Sequence, residues 1–484
     1  MSSLKQRTSI AILWNLLGTG GGEAIHLVIG IVLARILVPA EFGLMAMLNV
    51  FIGVSRVFIE GGFGAALVQK KDATRAEESS VLFCNLAMAG AFYGILWLAA
   101  PYVASFYGEP MLTRLLRFVA LGLLLTAPGI VQGSLLGRQL NFKKLTKVRM
   151  IASTISGLVA IVLAKHGFGV WSLGVQMVLM AFLNSVILWL VSDWRPIFRF
   201  RWRDVQPLAA FGYKLVCSSV LGQVFSNLNS ILIGKFYTTT DLGFYSRAQT
   251  LQAIPVNTFS HAISGVLLPA FVHARDDPVQ CRRGYSRALT FSMAVTFPMM
   301  ISLLVVAEPL IRLLLSEKWM QAVPYFRVFC LCGVWYPMHL LNLNYLLAIG
   351  RSDLYLKLEI RKKFVSLAIT AVMLPFGVMA LAWGLLLSSI VCLYINTLYT
   401  GRLAGYGLLD QLADVLPYGV IYAITGIVVW IIIPVLPAID FLRLFAVGVI
   451  FICSFLGITF LKKGNIYRYG FAIIMAMFRR PNVQ

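Results

Sequence analysis

LVPAEFGLMAML (residues 37–48) and FYTTTDLGFYSRAQTL (residues 236–251) carry one pattern twice. In each, a short turn and an acidic residue lead into Phe42-Gly43 or Leu242-Gly243 and then into a further apolar run. The two glycines stand 200 residues apart. The correspondence continues along the chain. LVQKKDATRAEE (67–78) sits opposite AFVHARDDPVQCRR (270–283), PYVASFY (101–107) opposite PLIRLLLSEKW (309–319), and Arg117 opposite Arg327. Pro128 faces Pro337 nearby, and Gly137-Arg138 falls opposite Gly350-Arg351. The offset drifts from 200 to 213, as loop insertions produce. Each motif alone is weak; the ordered series argues for an internal repeat.

The composition fixes what is repeated. Of 484 residues, 59% are hydrophobic and 12% charged, with a mean hydropathy of +0.84. That excludes a water-soluble globular chain. A spanning helix needs about 20 apolar residues. The sequence predicts fourteen such helices, near 10–36, 41–68, 78–103, 111–137, 145–164, 168–191, 207–234, 248–272, 286–307, 321–349, 362–381, 383–401, 415–436 and 441–461. The expected fold class is therefore an all-α polytopic membrane protein. The repeat implies two parallel six-helix bundles, 1–206 and 207–404, because six crossings return the chain to its starting side. Residues 405–484 hold two additional helices and a basic tail.

The net charge of +22 comes from basic residues clustered between apolar runs. KKDATR, GRQLNFKKLTKVR, RPIFRFRWR and GRSDLYLKLEIRKK all fall on one side of the fourteen-span topology. The positive-inside rule places that side, with both termini, in the cytoplasm. Nucleic acid is not an expected partner, whereas anionic membrane lipids are. Apart from Cys281, the seven cysteines lie in apolar runs with neither metal nor disulfide spacing, and read as small packing residues. The first apolar run carries Glu23 and reads as a retained helix rather than a cleaved signal.

Ionisable groups inside spans are functional candidates. FIGVSRVFIEGGFGAALVQKK (51–71) places Arg56 and Glu60 within an apolar helix. A charge there costs about 2.5–3.5 kcal/mol on insertion scales. Four residues apart, the two share a helical face and offset part of that cost as an ion pair. A water-filled cavity facing them would offset the rest. The offset of 200 matches Glu23 with Gln223, while Arg56 and Glu60 fall against Asn257 and His261. LLGTGGGEAIHL (16–27) sets Glu23 and His26 after a glycine-rich, bendable stretch. It suits a gate or coupling-ion site, or else tight helix packing. Gln223 and Asn227 belong to a polar stripe that lines a path or bonds neighbouring helices. His339 and Asn342, three apart, share a face beside Pro337. Arg117, Lys214 and Arg327 lie nearer span ends, where they snorkel to the interface or line a cavity.

Two six-helix halves, two added helices, LVPAEFG and DLGFYSRAQTL together resemble the Wzx-type polysaccharide flippases of the multidrug/oligosaccharidyl-lipid/polysaccharide exporter superfamily. The similarity is strongest to their WzxC-like, colanic-acid and exopolysaccharide branch, and covers essentially the whole chain. The resemblance implies V-shaped bundles alternating between cytoplasm and periplasm in a bacterial inner membrane. Its implied cargo is an undecaprenyl-pyrophosphate-linked oligosaccharide for exopolysaccharide or lipopolysaccharide synthesis. Polysaccharide polymerase and export machinery are the implied protein partners. Cationic residues would hold the pyrophosphate, with Arg56 the best match and Lys214, Arg117 and Arg327 behind it. No cofactor is expected beyond coupling to H+ or Na+, for which Glu23 and Glu60 are candidates. The alternative is a cation-coupled small-molecule or drug exporter of the same superfamily; a peptidoglycan-precursor flippase is a third reading. No Asp-x-Asp motif, Ser–His–Asp set, zinc spacing or phosphate loop supports an enzyme.

Overall fold

A computed structural model describes residues 21–60, 67, 73–274, 278–435, 437 and 439–461. Among these, the side chains of 204, 207–211, 214–215, 260–274, 278–281, 352, 435 and 458–461 are not described. The described chain is helical and holds no strand. Helix occupies every one of the fourteen predicted stretches, the first from residue 21 onward. Among the described residues, nine helices are long and apolar enough to cross a membrane, or ten when the bent pair Val216–Ser226 and Leu228–Phe236 is taken as one span. Their outer surfaces are apolar. Leu190, Phe364 and Trp430 are each more than 60% exposed, an arrangement suited to lipid and not to water.

Local chemistry sets the helix ends. Thr74 and Glu77 form a reciprocal capping box that starts Arg75–Tyr107, and Gly108, at φ 73°, stops it in the left-handed conformation. The two repeat turns are capped alike. The Val38 amide donates to the Glu41 carboxylate at 2.9 Å. The Thr238 amide and hydroxyl donate to Asp241, 200 residues on, at 3.3 and 2.6 Å. The helices so begun, Pro39–Glu60 and Thr239–Ala274, cross at their first turns. A Cβ on Gly43 would overlap the Thr239 carbonyl oxygen, and one on Gly243 would overlap the Pro39 carbonyl oxygen. Only glycine permits backbones to come this close.

Two boundaries differ from the sequence expectation. The span predicted at 362–381 is a helix from Ser352 to Met373. Its charged first half carries the i,i+3 pair Glu359–Lys362 on one helical face, and Arg351, just before the helix, bonds Asp353 of the first turn at 2.9 and 3.0 Å. The span predicted at 321–349 divides into Val323–Val334 and Tyr336–Ala348 around Trp335. Pro337, which has no N–H to donate, occupies the first turn of the second piece.

The chain divides into two compact units, with the boundary in sequence between Gly243 and Phe244. In the first, Met111–Arg138 packs against Arg75–Tyr107 and Val170–Val191. Ser185 and Trp189 donate to the carbonyls of Leu125 and Pro128 at 2.5 and 3.0 Å, beside the proline. In the second, Pro278–Val305 is central and packs against Val323–Val334, Tyr336–Ala348, Leu408–Ile432 and Asp440–Leu461. Tyr285, Met293, Met300 and Leu341 are wholly buried there.

Candidate functional site

Arg56 and Glu60 lie on Pro39–Glu60 in the first unit. Arg56 Nε stands 3.5 Å from Glu60 Oε1, with the two side chains 50% and 41% exposed. Neither is enclosed by protein, so this face of an otherwise apolar helix is open. Arg149, from Phe142–Lys165, adds a second positive charge acting on Glu60. Sequence reading misses Arg149 because it ends the basic run 137–149 and passes as a topology marker. One turn before Arg56, a Cβ on Gly53 would run into the Gln223 side-chain amide. Gly53, Arg56 and Glu60 share a helical face, so Gln223 packs beside the ion pair.

Asn227 sits at the bend in the next span. Trp202–Ser226 and Leu228–Phe236 meet there at 44°. The Asn227 side chain donates to the Gln223 carbonyl at 2.8 Å and to Ser226 Oγ at 3.2 Å. Glu23 and His26 are exposed on the helix over 21–36. Gly18 and Gly20 lie outside the described residues. Arg117 is anchored, its Nε donating to the Trp97 carbonyl at 3.1 Å and its guanidinium 4.0 Å over the Trp97 ring. The Lys214 side chain is outside the described residues.

In the second unit Asn257 is exposed on Thr239–Ala274, whereas the His261 side chain is outside the described residues. Arg327 lies 4.0 Å from Glu308. His339 and Asn342 belong to a polar cluster within the bundle. The His339 ring nitrogens contact Ser389 Oγ at 3.0 Å and Asn396 Nδ2 at 2.9 Å. Asn342 and Gln411 exchange amide bonds of 3.0 and 3.1 Å, and Thr400 donates to Asn342. All three are at most 1% exposed. Asn342→Ala is expected to cost about 3 kcal/mol, because it leaves Gln411 and Thr400 with lost partners in a dry site. Thermal unfolding of the detergent-solubilised protein checks this.

The structure therefore brings Arg56, Glu60 and Gln223 together in the first unit, and His339 with Asn342 in the second. No group of three metal-ligating side chains occurs among the described residues. The open pair on Pro39–Glu60 offers a guanidinium donor fork and a carboxylate acceptor, suited to binding a polar ligand rather than to covalent chemistry.

The fold is shared with solved transporters. The lipid II flippase MurJ, in an inward closed conformation, superposes with a TM-score of 0.77 at 14% identity, covering 93% of this chain and 99% of that one. An inward-facing multidrug resistance MATE family transporter of the MOP superfamily gives 0.61 at 16% identity, covering 82% and 98%. Sequence relatives include the teichuronic acid biosynthesis protein TuaB of Bacillus subtilis, 28% identical over 62% of each chain. The succinoglycan biosynthesis transport protein ExoT of Rhizobium meliloti is 31% identical over 64% of this chain and 63% of its own. The chain thus spans less than two thirds of the length of these two relatives. The lipopolysaccharide biosynthesis protein WzxC of Escherichia coli is 24% identical over 82% of this chain and 80% of its own. The sequence pattern of one family matches residues 32–324, and the chain is accordingly a member of that family, the polysaccharide biosynthesis proteins.

Proposed function

We propose that the chain is a flippase that carries lipid-linked oligosaccharide repeat units, borne on undecaprenyl pyrophosphate, across the bacterial inner membrane by alternating access. The observation that carries this reading is Arg56. It stands inside an apolar spanning helix, half exposed, with Glu60 as its ion-pair partner. A pyrophosphate does not cross hydrocarbon bare, and a guanidinium offers it a fixed charge and a planar set of donors. The family membership and the MurJ-like fold support the same reading.

The proposal includes fourteen crossings, bundles at 1–206 and 207–404 with residues 405–484 outside the repeat, and both termini in the cytoplasm. Glu23 and Glu60 are its coupling groups for H+ or Na+, and the polymerase that consumes the repeat unit is its expected neighbour. Transport of this kind makes and breaks no covalent bond, so no catalytic residue is assigned.

A deletion strain complemented with wild type, Arg56→Ala or Glu23→Gln tests it. Surface polymer and the cytoplasmic-leaflet pool of lipid-linked repeat units are measured. Arg56→Ala, expressed at the wild-type level, is expected to lower polymer by about tenfold or more and to trap repeat units inside. Normal polymer and no trapped intermediate in the deletion strain, with no second flippase present, would move the small-molecule exporter to first place.

A further inference from the structure

We propose that a cleft at the start of Pro278–Val305, in the second unit, binds the phosphate of a membrane lipid through Arg283 and Arg287. The cleft has a volume of about 670 Å³ and is lined also by Arg282, Ser286, Tyr406 and Asp414. That volume lies within the roughly 300–1,000 Å³ of small-molecule sites.

Its carboxylates are already engaged. Asp414 accepts from Ser286 Oγ and from Tyr406 Oη, each at 2.5 Å. Burial first, and then this bond to Asp414, push the Tyr406 phenol up, so it remains a donor. Asp410 accepts from the Gly407 amide at 2.9 Å and lies 3.5 Å from Arg282. Among the described residues neither Arg283 nor Arg287 has an ion-pair partner. The two are exposed and four apart on one helix, an arrangement of like charges that is unfavourable until an anion bridges it.

The first unit holds a smaller cleft, of about 230 Å³, at the start of Arg75–Tyr107. Two of its three cations bond within the protein: Arg138 to Glu78 at 2.9 Å, and Lys144 to the Val191 carbonyl at 3.3 Å. In the second unit Arg283 and Arg287 have no such bond among the described residues.

Position identifies the ligand class. The apolar span of Pro278–Val305 begins at Arg282, and Tyr406 lies between the spans Val378–Ala404 and Leu408–Ile432. The cleft therefore sits at the polar end of three spans, the depth of lipid headgroups, on the side that the charge pattern assigns to the cytoplasm. Guanidinium pairs suit phosphate oxygens. A bilayer phospholipid and a polyprenyl diphosphate both present that chemistry.

The test uses the full chain in phosphatidylcholine nanodiscs. Phosphatidylglycerol and, separately, a polyprenyl diphosphate are titrated in, and bound lipid is read by native mass spectrometry. Arg283→Gln with Arg287→Gln is expected to weaken binding of at least one of them by about tenfold. Arg75→Gln, in the first unit, should leave both unchanged. Weakened phosphatidylglycerol binding assigns a bilayer headgroup, and weakened polyprenyl diphosphate binding alone assigns a lipid of the cargo type. Equal binding of both lipids by the double variant and wild type overturns the proposal. Binding is read without transport, so this failure and a failure of the flippase reading are separable.

Discussion

Gly43→Val is expected to lower the apparent melting temperature of the detergent-solubilised protein by roughly 5–10 °C. The first carbon of any side chain there would fall on the Thr239 carbonyl oxygen, and backbone cannot step aside as a flexible side chain does. Separating two tightly packed helix starts costs about 3 kcal/mol, the upper part of the usual overpacking range. Gly243→Val should cost a similar amount, because its Cβ meets the Pro39 carbonyl of the same crossing. The double variant should then lose far less than twice the single loss, since one separation accommodates both side chains. Additive losses would mean that the two glycines act independently.

Glu78→Ala should be nearly as damaging. Glu78 is 4% exposed and holds Arg138 at 2.9 Å across two helices. Removing the carboxylate breaks a largely buried ion pair, a change that costs about 3–5 kcal/mol. Arg138 is 25% exposed, so the lower end is expected. The neighbouring Ser79 and Ser80 hydroxyls accept from the Ile197 and Arg201 amides at 2.9 and 3.2 Å and tie down the chain beyond Val191. Limited proteolysis within 193–201 should therefore accelerate severalfold in Glu78→Ala. Glu78→Ala combined with Arg138→Ala should recover part of the stability, because the guanidinium is removed together with its carboxylate.

Much of the fold is legible in the sequence because lipid imposes one strong rule: a spanning segment is apolar and about 20 residues long. The turns around Gly43 and Gly243 are legible because the same chemistry recurs at one offset, and Glu41 and Asp241 indeed cap their helices alike. What escapes is pairing. Asn342 is visible as a polar residue in an apolar run, but its partner Gln411 lies 69 residues away. No spacing rule joins them. Arg117 reads equally well as a snorkelling or a cavity residue until Trp97 appears beneath its guanidinium. The start at Ser352 escapes because charges that mark a loop in one context stabilise a helix when they pair along it.

The crossing of Gly43 and Gly243 also says something about how such sequences vary. Residue 39 meets residue 243 and residue 43 meets residue 239, the reciprocity of a two-fold homodimer written within one chain. A surface that fits itself in this way ties two distant codons to a single steric condition. Among descendants of this sequence, a side chain tolerated at one glycine implies a wider crossing, and so relaxed demand at the other. The two positions should therefore drift together, as mirror positions of a single ancestral patch.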